Sequence, residues 1–160
     1  MGERVRRGYA LCLGLVAVTV AGCMVPVLGD PLPRPVAMGR TDGGHLKIVV
    51  PLCDGEVVSA VEVQEHQTWR LVWRASLPVR TAERYGTIIL GDASGFGRQE
   101  TPLREAVPPH VSVSVKLSSG STAGRGFLVG EVVGDGRVSD LDGEVLTEEE
   151  FRRRVTDEYC

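Results

Sequence analysis

The sequence predicts a mainly β fold, a six- or seven-stranded antiparallel sandwich or barrel with one C-terminal α-helix. Two observations lead to this prediction. From His45 onward, short apolar or alternating runs are separated by turn residues such as Asp54-Gly55, which is the pattern of an all-β domain. After Thr147, apolar residues recur every four positions, which is the spacing of one face of a helix.

The predicted strands follow the alternation of side chains between the two faces of a sheet. The clearest is 111–118, in which apolar and polar residues alternate strictly. In 69–75 the same period predicts that Arg70 and Arg74 face outward. The positions that it predicts in the core are Trp69, Leu71, Trp73 and Ala75. The remaining strands are predicted at 46–50, 57–64, 87–90 and 125–133 and near residue 138.

The C-terminal segment predicts an amphipathic helix that starts after Thr147. Thr147 and Glu150 have the Thr-x-x-Glu spacing of a capping box, and the glutamates at 148–150 suit the positive end of the helix dipole. Arginines at 152–154 follow, and we interpret both charge runs as i,i+4 pairs on a solvated face. The apolar stripe predicted to pack on the sheet is Phe151, Val155 and Tyr159.

The N-terminus is typical of an export signal. A basic stretch at 1–7 precedes an uncharged, mostly apolar stretch at 8–20. That stretch is shorter than the roughly 20 apolar residues that a membrane-spanning helix needs. The sequence Val20-Ala21-Gly22-Cys23, which follows, resembles the lipobox of bacterial lipoproteins.

This resemblance implies that residues 1–22 are a signal peptide and that Cys23 carries a diacylglycerol. Membrane lipid would then be a partner, and the exported chain would be held at the outer face of the cytoplasmic membrane. The alternatives are an ordinary secretory signal with a chance cysteine and a retained membrane helix. Arg6-Arg7 leaves both the Sec and the twin-arginine export routes open.

Composition limits the class of partner. Removing residues 1–22 takes away three arginines and one glutamate, which changes the formal net charge from −3 to −5. An acidic chain argues against nucleic acid as a partner. Arginine outnumbers lysine 16 to 2 and asparagine is absent. Together with the lipobox, this bias resembles that of actinobacterial-type envelope lipoproteins.

The mature chain divides into two predicted segments. Residues 23–44 are rich in proline and glycine and show no period, so we predict a lipidated tether. Residues 45–160 form the predicted β domain. Its arrangement over about residues 45–145 resembles an immunoglobulin-like or fibronectin-like sandwich in architecture only, with Trp73 as the candidate core tryptophan. A likeness of this kind does not carry function.

Two cysteines remain for the folded domain, because Cys12 lies in the signal and Cys23 takes the lipid. In an oxidising compartment, Cys53 and Cys160 predict one disulfide, which would close a loop of roughly a hundred residues. The alternatives are a metal pair and two free thiols. Two thiols without CxxC spacing make a poor metal site.

No residue is singled out as catalytic. Ser94 lies in a glycine-rich segment but lacks the G-x-S-x-G spacing, and residues 120–124 are predicted to be a flexible loop. His45, His66 and His110 lie in three separate parts of the sequence, which favours three surface histidines over a catalytic or metal site. We therefore expect no enzymatic activity, no catalytic residue and no cofactor.

Residues 138–149 resemble a calcium-binding EF-hand loop. When Gly143 is aligned with the invariant glycine of that loop, three carboxylates fall at ligand positions. They are Asp140, Asp142 and Glu149. The first ligand position, however, is Val138, where a carboxylate is needed. Turn chemistry and the helix dipole explain the same residues, so we predict a structural segment and no metal.

These observations predict a membrane-anchored, extracytoplasmic lipoprotein that presents a small non-catalytic β domain to a ligand or to another envelope protein. One alternative is a metal- or calcium-dependent envelope module. Another is a small extracytoplasmic hydrolase whose site has no recognised motif. The sequence contains no motif that identifies the ligand.

Overall fold

The computed structural model describes residues 33–140 and 143–160, which form ten strands and a long C-terminal helix. The strands are β1 (Ala37–Arg40), β2 (Leu46–Val49), β3 (Val58–Glu65), β4 (Leu71–Pro78), β5 (Thr87–Ile89), β6 (Phe96–Thr101), β7 (His110–Leu117), β8 (Thr122–Leu128), β9 (Arg137–Ser139) and β10 (Val145–Thr147). The helices are α1 (Thr81–Arg84) and α2 (Glu148–Tyr159), with 3-10 turns at Ala93–Gly95 and Val129–Glu131. Among these residues, no helix has the length and apolar character needed to cross a bilayer.

The strands form two five-stranded antiparallel sheets that pack on each other. The free sheet has the order β6-β4-β3-β7-β8, and the covered sheet has the order β10-β9-β1-β2-β5. This confirms the predicted mainly β fold with a C-terminal helix. Three strands, β1, β6 and β10, had no counterpart in the sequence prediction. Gly39 and Gly97 interrupt the apolar pattern of the first two, and β10 has only three residues, too few for a period to be visible.

The two sheets enclose a core built mainly from valine. The residues of β7 that alternate into this core are Val111, Val113, Val115 and Leu117. Trp73 of β4 is completely buried in the same core and packs edge-to-face on Phe96, with ring centroids 5.7 Å apart. Trp73 is therefore the core tryptophan that the alternation indicated.

A second apolar cluster lies between the covered sheet and α2, because this sheet buries side chains on both of its faces. In β1, Met38 contributes to the valine-rich core, whereas Ala37 belongs to the cluster under α2. The full cluster is Ala37, Val49, Val138, Leu146, Phe151 and Val155. Tyr159, which the sequence placed in the packed stripe, is 38% exposed at the end of the helix.

The N-terminus of α2 is capped as the sequence predicts. The Glu150 amide donates a hydrogen bond to the Thr147 hydroxyl, and the Thr147 amide donates one to the Glu150 carboxylate. The bond from the Thr147 amide holds the pKa of Glu150 below its ordinary value. The capping box thus fixes where the chain leaves β10 and starts the helix.

Arg152 holds α2 against the edge of the covered sheet. Its guanidinium donates to the carbonyl oxygens of Val50 and Gly86, at 2.8 and 3.1 Å, and to the Glu148 carboxylate at 2.9 Å. The predicted i,i+4 pair of Glu148 and Arg152 is therefore present. The prediction of a solvated face is wrong at this point, because Lys47 of β2 also reaches Glu148, at 2.9 Å.

The prediction that residues 23–44 form a tether is wrong for the end of that segment. Ala37 and Met38 are completely buried, and β1 is the central strand of the covered sheet. Arg34, just before β1, forms an ion pair with Glu56, and its hydrogen bonds lower the pKa of Glu56 to about 2. A four-residue strand is too short to show a period, and the prolines before it suggested an unpaired chain.

β8 is longer at its start than the sequence suggested. The flexible loop predicted at 120–124 is wrong in its second half, since β8 begins at Thr122 and Gly124 pairs with Ser114 of β7. A Cβ at residue 124 would approach the Val113 carbonyl oxygen to 2.6 Å. Glycine at this position therefore reflects close approach of two strands and not a flexible loop. The strand itself ends at Leu128, where a 3-10 turn follows.

Cys53 and Cys160 lie at disulfide distance, with 2.01 Å between the Sγ atoms and 5.5 Å between the Cα atoms. Cys53 lies in the segment after β2, and Cys160 follows α2 directly. The pair therefore ties the end of the helix to the covered sheet. The sequence separation is 107 residues, and the pairing expected from the sequence is seen.

Replacing Cys160 with serine should free the end of α2 before the sheets unfold. A loop of this length stabilises the fold by at most roughly 4–5 kcal/mol in the chain-entropy model, and α2 keeps the contacts of Phe151, Val155 and Arg152. Hydrogen exchange should therefore become faster in α2 while β7 stays protected. The wild-type mass should be about two daltons lower before reduction than after it. Free thiols at both Cys53 and Cys160 in the native protein would contradict the bond.

Candidate functional site

Cys23, the predicted point of lipid attachment, lies outside the described residues, and so does Asp142 of the calcium-like segment. Other residues of that segment have structural roles. Val138, at the first ligand position, is completely buried in β9. The Asp140 carboxylate accepts a hydrogen bond from the Glu144 amide at 3.0 Å. These features stabilise the connection from β9 to β10.

A guanidinium group stands beside the Asp140 carboxylate. Arg154 of α2 lies 3.3 Å from Asp140 and 2.8 Å from Glu144. The contact with Arg154 also lowers the pKa of Glu144. A cation supplied by the protein therefore already neutralises Asp140, one of the three carboxylates that this segment would offer to calcium.

Two of the three histidines meet at the end of the free sheet. His66 follows β3 and His110 begins β7, and the antiparallel pairing of β3 with β7 makes them neighbours. Their imidazole rings stack with centroids 3.9 Å apart and an interplanar angle of 24°. The prediction of three separate surface histidines is therefore wrong for this pair. Only the pairing of distant strands, which the sequence does not display, brings the rings together.

Ser112 orients the His66 ring, because its hydroxyl oxygen lies 2.8 Å from Nδ1. In a catalytic serine–histidine pair, a third group holds the other ring nitrogen. Within 33–140 and 143–160, no Asp or Glu side chain hydrogen-bonds to His66. In the same part of the chain, no three His, Cys, Asp or Glu side chains come together in a group that could hold a metal. In the described residues, the arrangement is thus a serine–histidine contact beside a second, stacked imidazole ring.

Trp69 lies beside the histidines in the turn between β3 and β4. Its ring is 6.0 Å from the His66 ring, and its side chain is 65% exposed. The prediction that Trp69 points into the core is wrong. The Glu65 amide donates a 2.9 Å hydrogen bond to the Arg70 carbonyl oxygen, which closes the hairpin before β4 starts at Leu71. Trp69 therefore belongs to the turn and not to the alternating strand.

A register shift changes the first residues of β4. The pairing of β3 with β4 shifts between Val63 and Gln64. As a result, Val72 and Trp73 both contribute to the core, whereas Leu71 is only partly buried. The predicted inward position of Leu71 is therefore wrong, and those of Trp73 and Ala75 are confirmed.

Trp69 has a backbone conformation that tryptophan rarely adopts. Its φ is +58°, in the left-handed region that most L-residues avoid. The conformation is not offset by burial, since most of the ring faces solvent. Backbone strain of this kind is concentrated at functional sites. We therefore take Trp69, His66, His110 and Ser112 as the candidate site, the ring cluster.

The charged groups next to the ring cluster are paired with one another. Glu65 accepts a hydrogen bond from the Thr68 hydroxyl at 2.6 Å and forms an ion pair with Arg70 at 3.4 Å, and these contacts lower the pKa of Glu65. Further along the sheet, Glu62 pairs with Arg74. The ring cluster therefore lies on a surface without a dominant charge.

The ring cluster continues into the polar outer face of the free sheet. An open depression of about 510 Å³ lies on this face. Its polar lining consists of Glu62, Arg74, Ser76, Glu100, Ser114 and Lys116. The Ser76 hydroxyl donates to Glu100 at 2.6 Å, which lowers the pKa of Glu100. This face therefore offers hydrogen-bonding groups to a ligand, whereas the outer face of the other sheet is covered by α2.

Sequence reasoning missed the ring cluster because each member has an ordinary setting in the sequence. Trp69 fits the alternating pattern, and both histidines flank predicted strands. One signal was present, namely the polar run His66-Gln67-Thr68 between two apolar segments. Its length suits a hairpin turn, which indicates that the chain reverses direction directly before Trp69.

Trp69→Gly should be more stable than Trp69→Ala, by about 0.5–1 kcal/mol in the free energy of unfolding. Both variants lose the ring, but only glycine relieves the left-handed strain of about 1–2 kcal/mol, from which its own flexibility subtracts about 0.5–1 kcal/mol. Urea unfolding followed through Trp73 fluorescence measures the difference. A more stable alanine variant would mean that residue 69 is in ordinary extended backbone.

Calcium should leave the melting temperature of the protein unchanged. A ligand that binds only the folded state raises stability by mass action, and this segment lacks the first carboxylate of a calcium loop. Thermal unfolding should therefore give the same midpoint with millimolar calcium as with a chelator. A calcium-dependent increase that disappears in Asp140→Asn would contradict the structural interpretation.

Comparison with known proteins adds no relationship to these observations. No protein-family model, no curated protein and no solved structure matches the chain. A function for it therefore has to be argued from the lipobox-like sequence, the two-sheet fold and the ring cluster.

Proposed function

We propose that this chain is an extracytoplasmic lipoprotein whose β domain binds a ligand with the outer face of the free sheet. A lipid on Cys23 anchors it at the outer face of the cytoplasmic membrane. The sequence Val20-Ala21-Gly22-Cys23 after a basic and apolar leader is the observation that carries the proposal. A diacylglycerol supplies two acyl chains, which suffice for stable anchoring, whereas one gives only marginal binding.

The cysteines support export. Disulfides persist in oxidising compartments and are rare in the cytosol. Cys53 and Cys160, the two cysteines that follow the lipobox, lie at bonding distance. Cys12 falls within the proposed signal and Cys23 is the proposed lipid site, so the proposal accounts for all four cysteines of the chain.

The contrast between the two outer faces supports a binding role. α2 covers one of them, whereas the other presents polar groups and the exposed ring of Trp69. Binding sites combine aromatic surface with a few polar groups that set the orientation of the ligand. Among the described residues, His66 has no carboxylate partner and no metal-ligand group is formed, so a binding module is favoured over a hydrolase or a metal-dependent module.

Cys23→Ser should abolish lipid attachment, because serine lacks the thiol that accepts the diacylglycerol. Labelled palmitate should enter the wild-type protein and not this variant. The variant should also no longer be found as a processed protein in the membrane fraction. Cys12→Ser is the matched control and should be labelled like the wild type, since residue 12 lies inside the removed signal. Equal labelling of wild type and Cys23→Ser would exclude Cys23 as the lipid site.

A further inference from the structure

We propose that the ring cluster binds a neutral oligosaccharide of gluco-configured pyranose rings, with the flat C–H face of one ring stacked on Trp69. This inference rests on the proposed binding role of the free sheet and names its ligand class. It does not depend on how the chain is anchored.

The ring cluster is the middle of a longer row of ring and apolar side chains. Trp69 lies 6.0 Å from His66, and His66 lies 3.9 Å from His110, between ring centroids. Leu128 of β8 pairs with His110 in the sheet register and is 47% exposed, so it extends the row by one strand. The row therefore crosses the free sheet from the β3–β4 hairpin to its β8 edge.

The dimensions of this row suit a short linear chain of sugar rings. It crosses four adjacent strands, which are about 4.8 Å apart, so it extends over roughly 14 Å. That length accommodates about three pyranose rings in line at the same strand spacing. A compact small molecule would use only one end of the row.

The polar groups beside the row are those that a neutral, hydroxyl-rich ligand needs. Gln64 and Ser114 present an amide and a hydroxyl on the same face as Ser112, on β3 and β7. Towards the Trp69 end of the row, Glu65 is paired with Arg70 and Glu62 with Arg74. A charged ligand at that end would compete with these pairs, whereas a sugar can share their remaining hydrogen-bonding capacity.

The configuration of the sugar follows from the stacking. An aromatic face binds a pyranose ring through the side that carries only axial hydrogens, and gluco-configured rings with equatorial hydroxyls have two such sides. A galacto-configured ring keeps one such side, but its axial O4 bends a 1,4-linked chain, so successive rings of that chain cannot all follow the straight row. The site should therefore bind a 1,4-linked galacto-configured chain more weakly than a gluco-configured one.

Fluorescence of the full chain tests the contact directly. The chain has two tryptophans, of which Trp69 is 65% exposed and Trp73 is completely buried. Acrylamide should therefore quench mainly Trp69, and cellotriose should protect it. The protein is kept in a detergent without a sugar headgroup, so that the detergent does not compete. A 1,4-linked galacto-configured trisaccharide is the ligand control and should need a roughly ten-fold higher concentration for the same protection.

Variants then locate the site by calorimetric titration with cellotriose. Trp69→Gly removes the ring but suits the backbone, and it should weaken binding roughly ten-fold or more. Trp69→Phe keeps a smaller ring and should bind with intermediate affinity. The matched control is Leu77→Gly, since Leu77 also has φ +58° and is 63% exposed but lies at the far end of β4. This control should bind like the wild type.

Several outcomes would overturn the inference. They are absence of cellotriose binding, wild-type affinity in both Trp69 variants, and equal weakening by Leu77→Gly. Protection of Trp69 by phospholipid vesicles and not by cellotriose would show that the row contacts a bilayer instead. If Cys23→Ser is labelled like the wild type but cellotriose binds as expected, the anchoring proposal is wrong and the saccharide site stands. The two proposals can therefore fail separately.

Discussion

The covered sheet has apolar side chains on both faces, and the arrangement of the whole domain depends on this constraint. Met38 and Ile48 contribute to the core between the sheets, while Ala37 and Val49 from the same two strands lie under α2. Burying one valine or isoleucine side chain stabilises a fold by about 1.5–3 kcal/mol. Leaving either face open would forfeit several such contributions, so a helix must cover one face and a second sheet the other.

The covering helix also satisfies polar groups at the edge of that sheet. A helix held only by Phe151 and Val155 would leave the carbonyl oxygen of Val50 to water, whereas that of Gly86 already accepts a hydrogen bond from the Val50 amide. Arg152 donates to both of them, and Glu148 joins Arg152 to Lys47. Because buried carbonyl groups require partners, the guanidinium makes packing of α2 compatible with the end of the strand. The same arrangement leaves the free sheet as the one with an open face.

What the sequence predicts depends on whether a pattern is complete within a short segment. β7 alternates over eight residues and α2 carries its own capping box, so both are recognised without knowledge of their neighbours. β1 cannot be recognised in this way, because its four residues are identified as a strand only by their pairing with β2 and β9. The alternation of apolar residues also does not locate the start of a strand. For this reason it places Trp69 in a strand that begins only at Leu71.

The candidate site shows the same limit more strongly. His66 and His110 become neighbours only through the pairing of β3 with β7, a long-range contact that composition and spacing do not encode. By contrast, the expected pairing of Cys53 with Cys160 needs no geometry, because the proposed signal and lipobox would leave just these two cysteines for the folded domain. The cysteine pair could thus be predicted from the sequence by elimination, whereas the histidine contact, which depends on strand register, could not.

The Cys53–Cys160 pair also has a mechanical consequence. β1 and β2 precede Cys53, and everything from β3 to the end of α2 lies within the closed covalent loop. If the chain is anchored through Cys23 and holds a ligand near Trp69, as proposed, tension follows a single length of polypeptide only as far as Cys53, where it divides between two routes. Tension on the anchor can therefore extend, as a single unfolded chain, only the residues that precede Cys53. It can separate β1 from β2 and β9, while the strands of the free sheet remain within the closed covalent loop.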